Sequence, residues 1–254
     1  LGFGPDADDR PALPVGLFPV ALPTFGEEPR RIPALRLTHA DGATGTRLRH
    51  VGHTAEPRDD GVDHRVELVD RVAPVRVTLR YRTRPGCDVL EQWVEVANDG
   101  DAPCTVHRAD AGAPALGGPA PHLTHWGGGW AAEWTQVVER LTRGVKTVAS
   151  AGGVRPSLHM PPIVLWSPDG PPAEDDGVVL AGTLLWGGDA RFDAEVAPQG
   201  HHRLTVGSEH VGAERILDPG ATFETPHVLW TWSTTGVGET SRRLHRLGRD
   251  HLIR

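Results

Sequence analysis

Three residue types in this sequence could do chemistry: carboxylates, histidines and tryptophans. The 254 residues include 33 Asp and Glu, 14 His and 8 Trp. Cleaving a glycosidic bond takes two carboxylates flanking it. With 33 acidic residues many pairs exist, so number alone selects none. His201, His202 and His210 are candidates for a metal site, and His122 and His125 form a second group. Neither spacing matches a metal motif, and adjacent residues on a strand point to opposite faces. Exposed hairpin histidines account for both groups, so no metal ligand is assigned. Trp126, Trp130 and Trp134 sit close together. Aromatic faces stack on the C–H faces of sugars, which makes Trp126 a candidate substrate-binding residue. Core or interface packing is the competing role for tryptophan at this density.

Composition narrows the partners. A formal net charge of −7 and a pI near 6.0 argue against a nucleic-acid surface. Lys146 is the sole lysine. Cys87 and Cys104 make no zinc motif and read as buried thiols, consistent with a reducing compartment and a cytoplasmic location. No apolar run reaches the ~20 residues that span a bilayer. The first residues lack the charged and apolar regions of a signal peptide. They also lack an initiating Met, so a fragment of a longer protein is expected. No cofactor is expected.

The elements that must position these residues are short. The 31 Gly and 23 Pro punctuate the chain throughout, which favours strands and loops. Residues 75–81 alternate most cleanly, with Val75, Val77, Leu79 and Tyr81 on one face. Similar runs lie at 62–69, 89–97, 104–109 and 178–186. Residues 192–196 and 203–206 form a hairpin across Gln199-Gly200, and 15–22 could add an edge strand. Asp41-Gly42 and Asp99-Gly100 are hairpin signals. Trp130, Trp134, Val137, Val138 and Leu141 fit helical spacing. About a dozen short strands without a repeat predict a two-sheet antiparallel sandwich. After a strand over 222–232 comes an amphipathic helix with Val237, Leu244, Leu247 and Leu252 near helical spacing. Thr240 or Ser241 could cap a shorter version of it. Trp230 and Trp232 share a strand face and are expected to pack under that helix. The resulting division is a β-sandwich domain over 1–233 and a C-terminal helix over 234–254.

Pro219-Gly220-Ala221, Phe223, Thr225-Pro226-His227-Val228, Trp232-Ser233, Gly236, Ser241 and His245 form an ordered pattern. It resembles the end of the N-terminal domain of the family 36 glycoside hydrolases, the α-galactosidase family. Two glutamates usual in that pattern are Ala221 and His227 here. A second match runs through Leu123-Thr124-His125, Trp130, Glu133, Leu141, Gly144, Ser150 and Gly153, and a partial third holds His159 and Pro161. The resemblance implies strand rather than helix near 131–141. It sharpens the fold to an all-β, two-sheet supersandwich of the galactose-mutarotase type with a C-terminal helix.

The same resemblance implies a non-catalytic N-terminal domain of a retaining α-galactosidase, which acts on terminal α-galactosyl residues of oligosaccharides. The helix would lead toward a catalytic barrel absent from this chain, and that barrel would hold the catalytic Asp pair. A homo-oligomer is implied as well. The family nucleophile lies in a Lys-Trp-Asp motif, whereas Lys146 is followed by Thr147. No catalytic residue is therefore assigned to this chain. Near residue 26 the family carries an Asp and an Arg that reach substrate hydroxyls, in assemblies from a neighbouring subunit. Arg31 stands at the Arg position and is the second candidate substrate-binding residue. The Asp is Pro29 here, and Glu27 or Glu28 is the nearest replacement. Two further readings share the fold. One is a free-standing carbohydrate-binding module using Trp126, Trp130 or Trp134. The other is an aldose epimerase, which needs paired His and a carboxylate as acid and base, and no motif pairs them.

Overall fold

The computed structural model describes residues 20–26, 31–150, 152–153, 159–197, 202–209 and 212–253. The chain first lays down β1 (Leu35–Thr38), then a long meander of β2 (Leu48–Arg58), β3 (Gly61–Asp70), β4 (Val75–Arg84) and β5 (Cys87–Asn98). Next come β6 (Cys104–Gly112), the short β7 (Ala115–Leu116), and a hairpin of β8 (His122–Gly127) and β9 (Thr135–Arg140). β10 (Gly144–Ala149), β11 (Ile163–Ser167), β12 (Val179–Leu184), β13 (Ala190–Val196) and β14 (His202–Ser208) follow. The last elements are β15 (Arg215–Leu217), β16 (Thr222–Glu224), β17 (Val228–Ser233) and helix α1 (Gly236–Leu247), which continues into a π-helical turn (Gly248–Leu252).

These strands form two sheets. The smaller runs β1-β6-β14-β13-β10, with β15 beside β6 and β7 beside β14. The larger runs β2-β3-β4-β5-β17-β12-β11-β8-β9, with β16 beside β5. Every pairing between named strands is antiparallel. The expected all-β two-sheet sandwich with a C-terminal helix is the observed architecture. The stretch with helical spacing near 131–141 is strand β9, as the resemblance implied.

The core follows from period-two alternation. Val75, Val77, Leu79 and Tyr81 of β4 meet Leu35, Leu37 and Val106 of the smaller sheet. A second half joins Val164, Trp166 and Leu184 to Phe192, Leu204 and Val206. Burying each such side chain is worth roughly 1.5–3 kcal/mol. Trp230 lies in this second half, and its Nε1 donates to Gln92 Oε1 at 2.9 Å. Gly182 makes room for it, since a Cβ there would come within 2.4 Å of the Trp230 ring.

Helix α1 lies on the opposite face of the larger sheet. Leu247 packs on Val89 and Leu229, and Val237 and Leu244 pack on Leu165, Val179 and Ala181. This corrects the expectation that Trp230 and Trp232 sit beneath the helix. Trp230 and Trp232 share the other side of the strand, where only Trp230 joins the core, while the helix meets the alternate residue Leu229. Trp232 is 48% exposed. The capping expectation is corrected too. Thr235 precedes the helix without a side-chain cap, and Thr240 sits inside it, donating to the Val237 carbonyl at 2.7 Å.

Both Asp-Gly signals mark turns, yet neither closes a hairpin. Asp41-Gly42 joins β1 of the smaller sheet to β2 of the larger, and Asp99-Gly100 joins β5 of the larger to β6 of the smaller. Asn98 fixes the second crossing: its amide donates to Ala102 and Leu217 carbonyls, both at 2.9 Å, and its Oδ1 accepts from Gly100 N–H at 3.0 Å. Of the expected edge strand, 15–19 lie outside the described residues, as does the Gln199-Gly200 turn.

Candidate functional site

On the outer face of the larger sheet, residues that alternate away from the core still bury charge. Asp63 of β3 accepts from Arg82 Nε at 2.6 Å and from Arg58 Nε at 2.5 Å. Glu91 of β5 meets Arg84 Nη1 at 2.8 Å and His227 Nδ1 at 2.6 Å. The His227 ring stacks on Trp93, with centroids 4.2 Å apart and planes 7° apart. Arg80 and Arg82 place their guanidinium carbons 5.3 and 5.4 Å from the same indole. Burial works against the Glu91 carboxylate, but His227 and Arg84 outweigh it and hold Glu91 below the usual range. Burial likewise opposes the His227 cation, and Glu91 and then Glu224 raise it above the ordinary imidazole value. This is a histidine–carboxylate contact of the kind an epimerase would use. Its carboxylate is already committed to Arg84 and His227 and is buried.

A second polar cluster lies on the outer face of the smaller sheet. Arg108 Nη2 donates to Asp110 and to Asp193, at 2.7 Å each. Thr147 Oγ1 donates to Asp193 at 2.5 Å, and Arg191 Nε at 2.9 Å. Burial pushes Asp110 up to about 6 against the pull of Arg108. Burial also opposes the Asp193 charge, but Thr147, Arg108 and Arg191 hold it low. A glycosidase pair needs a sugar between its carboxylates, roughly 5–9.5 Å apart. Here one guanidinium fills that gap.

Of the two sequence-predicted site residues, Arg31 lies in irregular chain before β1 and Trp126 on β8 of the larger sheet. Arg31 is half-buried and lies near Arg203 of β14. Arg203 is 1% exposed, and its Nη1 donates to the Val20 and Ala113 carbonyls at 2.6 and 2.9 Å. Burial, aided by the charge of Arg31, pushes Arg203 down to about 10. Glu27, Glu28 and Pro29 lie outside the described residues. Trp126, on β8 of the larger sheet, is half-buried against the cluster of Leu165, Val179 and Ala181. Its ring lies 6.2 Å from that of Trp134, tilted by 59°.

Histidines fall into structural roles. His202 is buried, bonded through Nε2 to the Gly118 carbonyl at 3.0 Å and 5.5 Å from the Trp166 ring, so it is not an exposed hairpin histidine. His201 and His210 lie outside the described residues. His122 Nδ1 contacts the Ala120 carbonyl at 2.8 Å, and His125 Nε2 contacts Glu139, which also holds Lys146. Among the described residues no group of three or more His, Cys, Asp or Glu is arranged for a metal ion.

Sequence reading missed Arg203 and the Arg108–Asp110–Asp193 cluster. Arg108 and Asp110, and likewise Arg191 and Asp193, share a face two residues apart, and that spacing was the available signal. The Glu91–His227 pair spans 136 positions and left no local signal.

The sequence pattern of the glycosyl hydrolase family 36 N-terminal domain matches residues 4–218. Probable alpha-galactosidase G of Emericella nidulans is 26% identical over 250 residues, covering 92% of this chain and 34% of that protein. Alpha-galactosidase AgaA of Geobacillus stearothermophilus is 26% identical over 268 residues, covering 98% of this chain and 36% of AgaA. The galactosidase domain of alpha-galactosidase-sucrose kinase AgaSK superimposes with a TM-score of 0.88 at 22% identity, over 93% of this chain and 34% of that one. A variant of AgaA in complex with stachyose gives 0.87 at 24% identity, over 92% and 34%. The chain therefore spans about a third of the length of the curated relatives it matches.

Proposed function

This chain belongs to the glycosyl hydrolase family 36 N-terminal domain family, and from that premise we propose that it is the non-catalytic accessory domain of an α-galactosidase. One observation carries this reading: relatives named as alpha-galactosidases match nearly the whole chain yet extend about twice as far again beyond it. The domain supports a barrel that holds the catalytic Asp pair, and the whole protein removes terminal α-galactosyl residues from oligosaccharides by a retaining mechanism. The arginine-paired carboxylates of the two outer faces agree with a supporting role. Arg31 reaches substrate hydroxyls within a homo-oligomer, and Trp126 belongs to a sugar-facing region. The protein works in the cytoplasm. No helix among the described residues is long and apolar enough to cross a membrane.

The test is hydrolysis of p-nitrophenyl α-galactoside by the 254-residue chain and by the product of the full open reading frame. Release of nitrophenol by the longer product alone is expected. Turnover by the short chain would place the catalytic carboxylates here and overturn the assignment.

A further inference from the structure

We propose that the tip of the β8–β9 hairpin is a carbohydrate-binding platform: Trp130 and Trp134 stack on pyranose rings of an α-galactosyl oligosaccharide, and Glu133 and Gln136 bond its hydroxyls. The choice of sugar rests on the α-galactosidase reading; the platform itself rests on the geometry.

Trp130 is 89% exposed and Trp134 55% exposed. Two open indoles a few residues apart on one turn are not core residues. The turn holds them in place. Ala131 and Trp134 have φ of 60° and 59°, in the left-handed region that side chains avoid. Such strain persists only where the surroundings fix it, and it concentrates at binding sites. Here Ala132 N–H donates to the Gly129 carbonyl at 3.0 Å. Ala131 N–H donates to Glu133 Oε1 and Thr135 Oγ1 to the Ala132 carbonyl, both at 3.1 Å. Gly128 lets the strands close: a Cβ there would come within 2.3 Å of the Ala132 oxygen. The backbone that carries both indoles is thus set before any ligand arrives, which lowers the cost of binding.

The surroundings fit a sugar better than a protein partner. Residues 127–136 read Gly-Gly-Gly-Trp-Ala-Ala-Glu-Trp-Thr-Gln, with no Leu, Ile, Val, Met or Arg. Protein interfaces are enriched in Met and Arg as well as aromatic residues, and poor in Ala and Glu. A pyranose instead needs an indole face, a carboxylate acceptor and an amide that both donates and accepts. Glu133 and Gln136 supply these and are exposed. Gln136 pairs in register with Trp126. Trp126 is packed beneath by Leu165 and Ala181, and its ring makes a tilted corner with Trp134. Its role is therefore to buttress the platform, and the sugar-stacking faces belong to Trp130 and Trp134.

The test titrates the 254-residue chain with raffinose, which ends in an α-galactosyl unit, and follows the indole N–H resonances by NMR. Saturable shifts with Kd of about 1–10 mM are expected. Trp130→Ala should weaken binding at least about tenfold with no change in melting temperature, because its ring has almost no packing to lose. Trp186→Ala, which removes another exposed indole, should leave binding unchanged. Absence of saturation at about 0.1 M raffinose, or binding that survives both Trp130→Ala and Trp134→Ala, overturns the platform. Should Trp134→Ala unfold the hairpin, Trp130→Ala still decides. An active full-length product whose N-terminal domain binds no raffinose removes the platform alone. Raffinose binding by the domain of an inactive full-length product removes the enzyme reading alone.

Discussion

His227 couples charge to stability in this domain. It faces Glu91, Glu224 and Trp93, and Glu91 in turn faces Arg84 and, at 3.9 Å, Arg82. The His227 value in the folded protein lies above its usual 6.5. The folded state therefore holds the proton more tightly, and this stabilisation is complete below about pH 6.5 and lost as pH rises through the folded value. Glu91 lies below its usual 4.5, so its contribution is present above that pH and lost as pH falls through the folded value. The pair is strongest between these limits. His227→Ala should cost about 1–3 kcal/mol near pH 6, and the gap to wild type should narrow by about pH 9. Urea denaturation at the two pH values checks this, and an equal gap at both would mean that His227 is uncharged. The remainder at high pH is the lost stack on Trp93. A residue exchange also becomes intelligible. The resembling pattern has Glu where His227 stands, and a carboxylate there would oppose Glu91 at close range.

At the scale of elements, β17 separates what alternation can tell from what it cannot. Trp230 and Trp232 share a face, but only Trp230 reaches the space between the sheets, at 6% exposure. Trp230→Ala should cost roughly 3–5 kcal/mol, whereas Trp232→Ala should cost less than about 1 kcal/mol. Urea midpoints of the two variants make the comparison, and equal losses would contradict the placement of β17. The shared face was legible in the sequence because a strand repeats every two residues. Which face the helix covers was not, since α1 docks on Leu229, whose type equally suits the core. The Asp-Gly turns show a similar limit. A turn residue fixes local chain reversal, but whether the next strand pairs in the same sheet depends on contacts such as the Asn98 bond to the Leu217 carbonyl, 119 positions away. Strand β9 was ambiguous by period alone, and family likeness decided it. Of the candidate site, the tryptophans of the β8–β9 hairpin were legible because they are close in sequence. The strained turn that carries them was not, because Ala131 and Trp134 are not residue types that announce a positive φ.

At the scale of the whole molecule, four buried carboxylates are paired internally, and the proposed contact of Arg31 with substrate belongs to the longer protein. Asp63, Glu91, Asp110 and Asp193 are buried and held by arginines of the same sheets. Arg203 is spent on two carbonyl groups, and one of them, Val20, belongs to the segment that leads toward Arg31. Arg203 thereby anchors that segment on β14 and acts on Arg31 only as a neighbouring like charge. A sugar hydroxyl bonded to a charged donor is worth about 1.5–3 kcal/mol. In the longer protein, Arg31→Ala should therefore raise KM for p-nitrophenyl α-galactoside about tenfold or more while kcat changes little, the signature of lost ground-state binding. Steady-state kinetics of the variant decide the matter. If KM is unchanged, Arg31 has no contact with substrate, and its effect is confined to Arg203 and the folding of the N-terminal segment, which melting temperature would then register instead.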